Sequence, residues 1–323
     1  MIHSAGWIPA TVHGGGTSPT VQWCHLGELR FTDPFFEQTI WRAMKHPFNL
    51  LFSHHTPLNE LEEQGRELRL AGLIFHMSHC GSTLVSRMLA ALDRNVVLSE
   101  PAPLDRILKL PARLRDVSDE QLVRWMRGVV AALSRKRHAA ERDVFIKLDG
   151  WHVLLLPLFR RAFPDVPWVF LYRQPLEVLA ALEVLRPGQT LPGAIDPALL
   201  GLDAGSVAAL SFEAYAALLL ERYCGIAIAH HCDGGMLVEY RELPDAVCGK
   251  VLDHFGLRYD ATELAAMAAA AQFNAKNPTK PFQPDGETKR RNASERTREL
   301  AQGLAPLYDR LESLRLKTAV RQE

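Results

Sequence analysis

The stretch that most constrains the fold lies at residues 72–101, with the sequence GLIFHMSHCGSTLVSRMLAALDRNVVLSEP. An apolar run at 73–77 predicts a buried strand, and small and polar residues follow at 78–83. Apolar residues then recur at helical spacing, and a second apolar run at 96–98 ends in Ser99-Glu100-Pro101. The stretch therefore predicts a strand, a tight loop, a helix and a second strand.

A loop between a strand and a helix is suited to bind an anion. Its backbone N–H groups lack partners, and the helix dipole is positive at that end. The nucleoside triphosphate version of such a loop needs G-x-x-x-x-G-K-[ST]. Here Ser82 stands in the place of the lysine and His76 in the place of the first glycine. The loop thus lacks the main charge for a β/γ-phosphate pair, and a kinase or nucleotide-binding enzyme is kept only as an alternative.

The rest of the chain repeats the alternation of strands and helices. Further apolar runs near 144–148, 168–172 and 236–240 are separated by segments with helical periodicity. This order predicts an α/β fold with a parallel five-stranded sheet, right-handed crossovers and helices on both faces. Residues 1–71 are interpreted as an N-terminal accessory segment with helical pieces, and residues 72–323 as the α/β domain with a helical C-terminal addition.

Several polar residues stand where the predicted strands end. Glu100, Lys147, Arg173 and Tyr240 follow or close four of these strands, and residues 78–83 follow the first. Ligands of parallel sheets bind beyond the carboxyl ends of the strands, so these residues are predicted to meet at one site. Lys147 stands inside an apolar run, where it needs either a partner or a path to the sheet edge.

Composition excludes several classes of function. Lysine plus arginine equals aspartate plus glutamate at 37 each, so no bulk charge favours nucleic acid or an anionic membrane. No apolar run of about 18 residues predicts a membrane span. The five cysteines are scattered, without the spacing of a zinc site or a disulfide framework. We therefore expect a cytoplasmic protein with no bound metal.

The loop Ser78-His79-Cys80-Gly81-Ser82-Thr83 resembles the 5′-phosphosulfate loop of the PAPS-dependent sulfotransferases, which reads close to P-[KR]-S-G-T-T-x-[LM]. His79 takes the basic position, Gly81 the glycine, and Ser82 and Thr83 the hydroxyl pair. The resemblance implies a P-loop-like sulfotransferase fold of the bacterial type. It also implies 3′-phosphoadenosine 5′-phosphosulfate (PAPS) as co-substrate, cradled by residues 78–83. The plainer alternative is an ordinary turn in which Gly81 supplies backbone freedom.

Two later segments extend the resemblance and also depart from it. Arg173-Gln174-Pro175 resembles the R-[ND]-P that begins the 3′-phosphate site, and Tyr240 lies in a segment similar to V-x-Y-E-x-L. The resemblance implies that Arg173 and Tyr240 bind the nucleotide, although Tyr240 could equally be a core residue. The family has a serine eight residues after the arginine, where this chain has Ala181, and the late R-K-G is absent. Lys289-Arg290-Arg291 either supplies the missing charge or, in the favoured interpretation, is a solvated basic run.

Tyrosylprotein-type and several carbohydrate sulfotransferases carry a glutamate base after the loop helix, and Ser99-Glu100-Pro101 resembles that position. The resemblance implies Glu100 as general base, with Lys147 and His79 as charge stabilisers, in sulfuryl transfer to a hydroxyl or amine. Small molecules, carbohydrates, lipids and peptides all fit as acceptors, and the oligomeric state is open. A catalytically inactive sulfotransferase-like binding protein is the second alternative.

Overall fold

The computed structural model describes residues 6–15, 18–62, 65–114, 116–275, 281, 283 and 285–320. Its strands are β1 Trp7–His13, β2 Thr20–His25, β3 His54–Pro57, β4 Arg69–His76, β5 Asn95–Ser99, β6 Asp143–Lys147, β7 Trp168–Tyr172 and β8 Gly235–Glu239. Its helices are α1 Phe36–Met44, α2 Pro47–Leu51, α3 Ser82–Ala90, α4 Ala102–Leu108, α5 Asp119–Leu133, α6 Leu156–Ala162, α7 Pro175–Val184, α8 Ala204–Ala208, α9 Phe212–His230, α10 Leu252–His254, α11 Ala261–Ala270, α12 Gly286–Asn292 and α13 Glu295–Val320. Short 3₁₀ segments occur at Leu58–Leu61, Gly150–Leu155, Gly188–Thr190, Pro197–Leu200 and Tyr240–Glu242, and a π-helical turn at Val247–Val251.

The central sheet consists of five parallel strands in the order β5-β6-β4-β7-β8. Every residue of β5, β6 and β7 is buried. Because successive side chains of a strand point to opposite faces, both faces of this sheet must be covered. The predicted fold class is thereby confirmed, and the five apolar runs found in the sequence are the strands of this sheet.

The strand order brings the predicted site residues together. β4 lies in the centre of the sheet, with β6 on one side and β7 on the other. The loop that follows β4 therefore lies between the carboxyl ends of strands that carry Lys147 and Arg173. Glu100 follows β5, and its backbone N–H donates to the carbonyl oxygen of Lys147 at 2.7 Å.

The first part of the chain differs from the prediction. It contains a three-stranded antiparallel sheet, β1-β2-β3, where only helical pieces were expected. β1 contains Pro9, and its pairing with β2 is irregular between Pro9 and Thr11, which breaks the alternation by which a strand is read from sequence. Helix α1 and the 3₁₀ turn at Leu58–Leu61 account for the helical signals. The domain boundary drawn at residue 71 falls inside β4.

No helix in the described ranges combines the length and apolar character that crossing a bilayer requires. All five cysteines are free thiols.

Close packing of the accessory segment against α5 gives a test of the fold. A Cβ added to Gly128 in α5 would lie 2.4 Å from the backbone carbonyl oxygen of Leu61. We expect Gly128→Ala to lower the free energy of unfolding by about 1–3 kcal/mol, because the backbone must shift to admit the methyl group. Urea unfolding followed by circular dichroism measures the change.

The matched control is Gly225→Ala in α9, where an added Cβ meets nothing within 4 Å. This variant should be neutral or more stable by about 0.5–1 kcal/mol, since alanine favours the helix over glycine. Equal effects of the two substitutions would contradict the packing described here.

Candidate active site at the carboxyl edge of the sheet

The loop after β4 has an unusual backbone conformation. Ser78, His79 and Gly81 have positive φ angles of 75°, 48° and 85°. Only glycine adopts this region without cost, so the turn holds two strained residues, a feature that concentrates at binding and catalytic sites. A Cβ on Gly81 would lie 2.5 Å from Leu243 Cδ1, so a larger residue here would displace the Leu243 side chain as well as strain the backbone.

Helix α3 begins directly after this turn, with Gly81 as its N-cap. Ser82 and Thr83 occupy the first turn, where the N–H groups of a helix are unpaired and its dipole is positive. Their two hydroxyl groups have no hydrogen-bond partner among the residues that the structure describes. Cys80 differs, because its buried thiol donates to the carbonyl oxygen of Leu171 at 3.1 Å and burial raises its pKa to about 12. Cys80 can therefore contribute only its backbone to the site.

An ion pair lies beside the loop. Lys147 Nζ is 2.6 Å from Glu100 Oε1, and the lysine side chain is only 1% exposed. The same ammonium group lies 4.7 Å from the centre of the Phe35 ring. Lys147 therefore does not reach solvent at the sheet edge, and its charge is balanced by a carboxylate on the neighbouring strand end. Glu100 itself has a positive φ of 56°, a further strained position at this site.

His76 completes this group and was not among the residues predicted for the site. Its Nδ1 accepts from the N–H of Ser78 at 3.1 Å, so in the neutral ring the hydrogen lies on Nε2. Nε2 is buried, has no hydrogen-bond partner in the described residues, and faces Glu100 Oε1 at 3.7 Å. Burial alone would raise the pKa of Glu100, but Lys147 and His76 outweigh it and lower that pKa to about 2.

A second group of charges surrounds Arg173 on the other side of the loop. The guanidinium is 3% exposed and donates to Glu177 at 2.6 Å, to Asp285 at 2.8 Å and to the carbonyl oxygen of His79 at 3.2 Å. It lies 3.9 Å from the centre of the Tyr240 ring. Arg173 is thus not a simple surface ion pair, and its donors are already engaged by two carboxylates.

Lys289 belongs to the same group. Its ammonium is 2.7 Å from Asp285, and the side chain is 18% exposed. Arg290 pairs with Glu177. The favoured interpretation of this basic run as solvated is wrong for Lys289, which faces the site. Burial lowers the pKa of Lys289, while the two basic groups Lys289 and Arg173 lower that of Asp285 despite its own burial.

One cavity of about 480 Å³ unites these groups. Ser78, His79, Gly81, Ser82, Thr83, Glu100, Arg173 and Tyr240 all line it, together with the backbone region of Cys80. Lys147 lies behind this wall, and its ammonium contacts Glu100, which lines the cavity. Ala181 also lines it, at the position where the serine of the resembled pattern is missing. The predicted site residues therefore converge, whereas His76, Asp285 and Lys289 were not placed at the site by the sequence.

The fold and this site define a parallel α/β protein with a strained turn, a helix N-terminus and a lysine–glutamate pair at the carboxyl edge. No family model matches the chain, and no curated protein matches it significantly. The structure is similar to the sulfotransferase domain of the Synechococcus olefin synthase, with 17% identity, a TM-score of 0.47 and coverage of 76% of this chain and 97% of that one. It is also similar to the sulfotransferase domain of the curacin biosynthetic pathway, with 14% identity, a TM-score of 0.44 and coverage of 75% and 99%.

A mouse sulfotransferase complexed with PAP matches with 13% identity, a TM-score of 0.39 and coverage of 78% of this chain and 87% of that one. The family that the loop sequence resembles is thus also the family of these solved structures.

The ion pair predicts a pattern of stability. Glu100→Gln leaves the buried ammonium of Lys147 without its carboxylate and should cost about 3 kcal/mol at pH 7. Lys147→Met should be destabilising for the converse reason, and the double variant should recover most of the loss because no unpaired charge remains. Urea unfolding of the four proteins measures the coupling.

The stability lost in Glu100→Gln should also depend on pH. The pKa of Glu100 is lowered in the folded protein, so its contribution is complete above about pH 4.5, the pKa of a free glutamate, and disappears as the pH falls towards 2. The difference between Glu100→Gln and the unmodified protein should shrink over that interval. Glu299→Gln on α13, whose side chain is 58% exposed, is the control and should change little. A constant difference between pH 7 and pH 3 would argue against the ion pair.

Proposed function

We propose that this protein transfers a sulfuryl group from PAPS to a hydroxyl or amine acceptor. The proposal rests on one observation. A turn suited to bind an anion and a lysine–glutamate pair suited to proton transfer and charge neutralisation meet at one cavity. The cavity volume of about 480 Å³ lies within the range of small-molecule sites.

The residues present fit the 5′ end of such a nucleotide. The N-terminus of α3 and the hydroxyl groups of Ser82 and Thr83 offer donors to a phosphosulfate without adding a fixed charge. The strained backbone of Ser78 and His79 points this turn into the cavity, and the His79 side chain adds a further donor when it is protonated. Tyr240, at the other side of Gly81, offers a ring face to the nucleoside. These assignments support residues 78–83 and Tyr240 as the nucleotide-binding set.

PAPS supplies a sulfuryl group activated by a phosphate leaving group. Lys147 would neutralise the charge that develops on the phosphate, and the Glu100 carboxylate would accept the proton that the acceptor group loses. A carboxyl with a pKa of about 2 is a weak base, so the Glu100 role requires that an anion in the loop compete for the Lys147 ammonium. Binding of PAPS would in this way raise the basicity of Glu100.

The Arg173 group favours one alternative, an inactive protein that binds a nucleotide without turnover. Asp285 already accepts a hydrogen bond from Arg173, whose guanidinium would hold a 3′-phosphate, and Ala181 supplies no hydroxyl group to the cavity. Binding of PAPS would require Asp285 to release Arg173 and Lys289. A kinase-type activity is distinguished by magnesium-dependent ATP turnover in place of PAPS turnover.

Asp285 provides a test of nucleotide choice. We expect Asp285→Asn to strengthen PAP binding by about tenfold while leaving AMP binding unchanged, because the carboxylate competes only with a 3′-phosphate. A thermal-shift screen with PAP, PAPS, AMP, ATP and GTP, followed by calorimetry, measures both effects. Asp309→Asn, an exposed carboxylate on α13, is the control. An equal gain for AMP and PAP would contradict a 3′-phosphate site at Arg173.

The catalytic roles predict a separation of binding from turnover. Glu100→Gln should lower sulfuryl transfer by about 10²- to 10⁴-fold, the usual contribution of a general base, with PAP affinity within threefold of the original. Lys147→Met should lower transfer similarly. Release of PAP from PAPS, with panels of phenols, alcohols and amines as acceptors, measures the rate. Full turnover in both variants would overturn the roles, and PAP binding without turnover in the unmodified protein would support the inactive alternative.

A further inference from the structure

A cavity larger than that of the candidate active site lies away from it. It measures about 720 Å³ and shares no lining residue with the nucleotide cavity. Helices α4, α5 and α6, the turn at Gly150–Leu155 and the loop at 193–199 enclose it. Its wall is mainly apolar, formed by residues that include Leu108, Leu122, Trp151, Leu158, Ile195 and Leu199. Its size is that of a site for an apolar ligand body.

A smaller cavity of about 360 Å³ adjoins it, and Lys109 and Arg113 line both. Arg106 and His13 also line the smaller cavity, and no acidic side chain of the described residues does so. Arg106 and Arg113 are exposed, and neither side chain has a hydrogen-bond or ion-pair partner in the described part of the chain. Two unpaired arginines that line one cavity favour a doubly charged anion, which a guanidinium group can bind in a bidentate manner.

The two acidic side chains that line the larger cavity already have partners. Asp119 pairs with Arg161 at 2.6 Å, and Asp196 accepts from the N–H of Ala198 at 3.0 Å. The unpaired positive charges thus belong to Arg106, which lines only the smaller cavity, and to Arg113, which lines both, while the mainly apolar wall belongs to the larger cavity.

Asp105 fixes the junction between the two cavities. It accepts from Lys109 Nζ at 2.8 Å and from Trp151 Nε1 at 3.0 Å, while His152 Nε2 lies 3.3 Å away. Lys109 Nζ also lies 5.3 Å from the centre of the Trp151 ring. One carboxylate thus holds the shared cation and the aromatic wall in place, so the junction is preorganised before a ligand arrives.

From this pairing we propose a second ligand site, which binds an amphiphile with a phosphate monoester head and an acyl or similar apolar body. The head lies in the smaller cavity against Arg106 and Arg113, and the body lies in the larger cavity against Trp151 and Leu199. The site stands independently of the proposed sulfuryl transfer, since none of its residues lines the nucleotide cavity.

Calorimetry of the full chain with dodecyl phosphate, below its critical micelle concentration, tests the site. We expect dodecyl phosphate to bind at least tenfold more tightly than inorganic phosphate, dodecanol or dodecyltrimethylammonium. Saturating PAP should leave this affinity unchanged. Equal binding of dodecyltrimethylammonium, displacement by PAP, or no binding of dodecyl phosphate would each overturn the proposal.

Variants test separately the residues proposed to bind the phosphate head and those proposed to bind the apolar body. The double substitution Arg106→Glu with Arg113→Glu should weaken dodecyl phosphate at least tenfold, whereas Arg310→Glu, an exposed arginine on α13, should not. Leu199→Glu should weaken the binding of dodecyl phosphate and leave the binding of inorganic phosphate unchanged. Each variant's melting temperature is measured alongside its affinity, and unchanged binding of dodecyl phosphate in either site variant would contradict the assignment.

Discussion

The contact between Lys147 Nζ and Glu100 Oε1 joins the ends of two neighbouring strands, and the candidate site is arranged around it. Ser99 pairs with Lys147 in the parallel ladder, and the Glu100 N–H continues that ladder by donating to the Lys147 carbonyl oxygen. The sheet register therefore places the backbones of the two residues side by side, within reach of each other's side chains. A buried ammonium is costly unless it is paired, so the same contact stabilises the fold and is also the pair on which the proposed proton transfer depends.

The central sheet could be predicted from sequence because its strands are continuous apolar runs, each buried on both faces. The convergence of Glu100, Arg173 and the loop followed from the rule that ligands bind beyond the carboxyl ends of parallel strands. The antiparallel sheet at the N-terminus could not be predicted, because Pro9 and the irregular pairing that follows it obscure the period of two. His76 was noticed only as a residue in the place of a glycine, and its role as acceptor for Ser78 depends on a turn that no spacing rule reveals.

The Arg173 group shows why a motif identifies a residue without fixing its partners. The sequence predicts that Arg173 binds an anion. Arg173 lines the cavity, and its role as an anion ligand stays a prediction. However, Asp285, which lies 112 positions away in the chain, accepts a hydrogen bond from the same guanidinium. This contact forms because α12 packs beside α7. Long-range contacts of this kind depend on tertiary packing, which local patterns do not encode.

The central position of β4 also bears on how the chain acquires its structure. Its two hydrogen-bonding partners, β6 and β7, begin 74 and 99 residues later, at Asp143 and Trp168. Pairings of such high sequence separation form slowly, since the intervening chain must first be confined. During synthesis one edge of β4 therefore lacks its partner until β6, which ends at Lys147, has left the ribosome, and the other edge until β7, which ends at Tyr172, has followed. Unpaired strand edges make a nascent chain prone to aggregation, so this is the interval in which a chaperone would protect it.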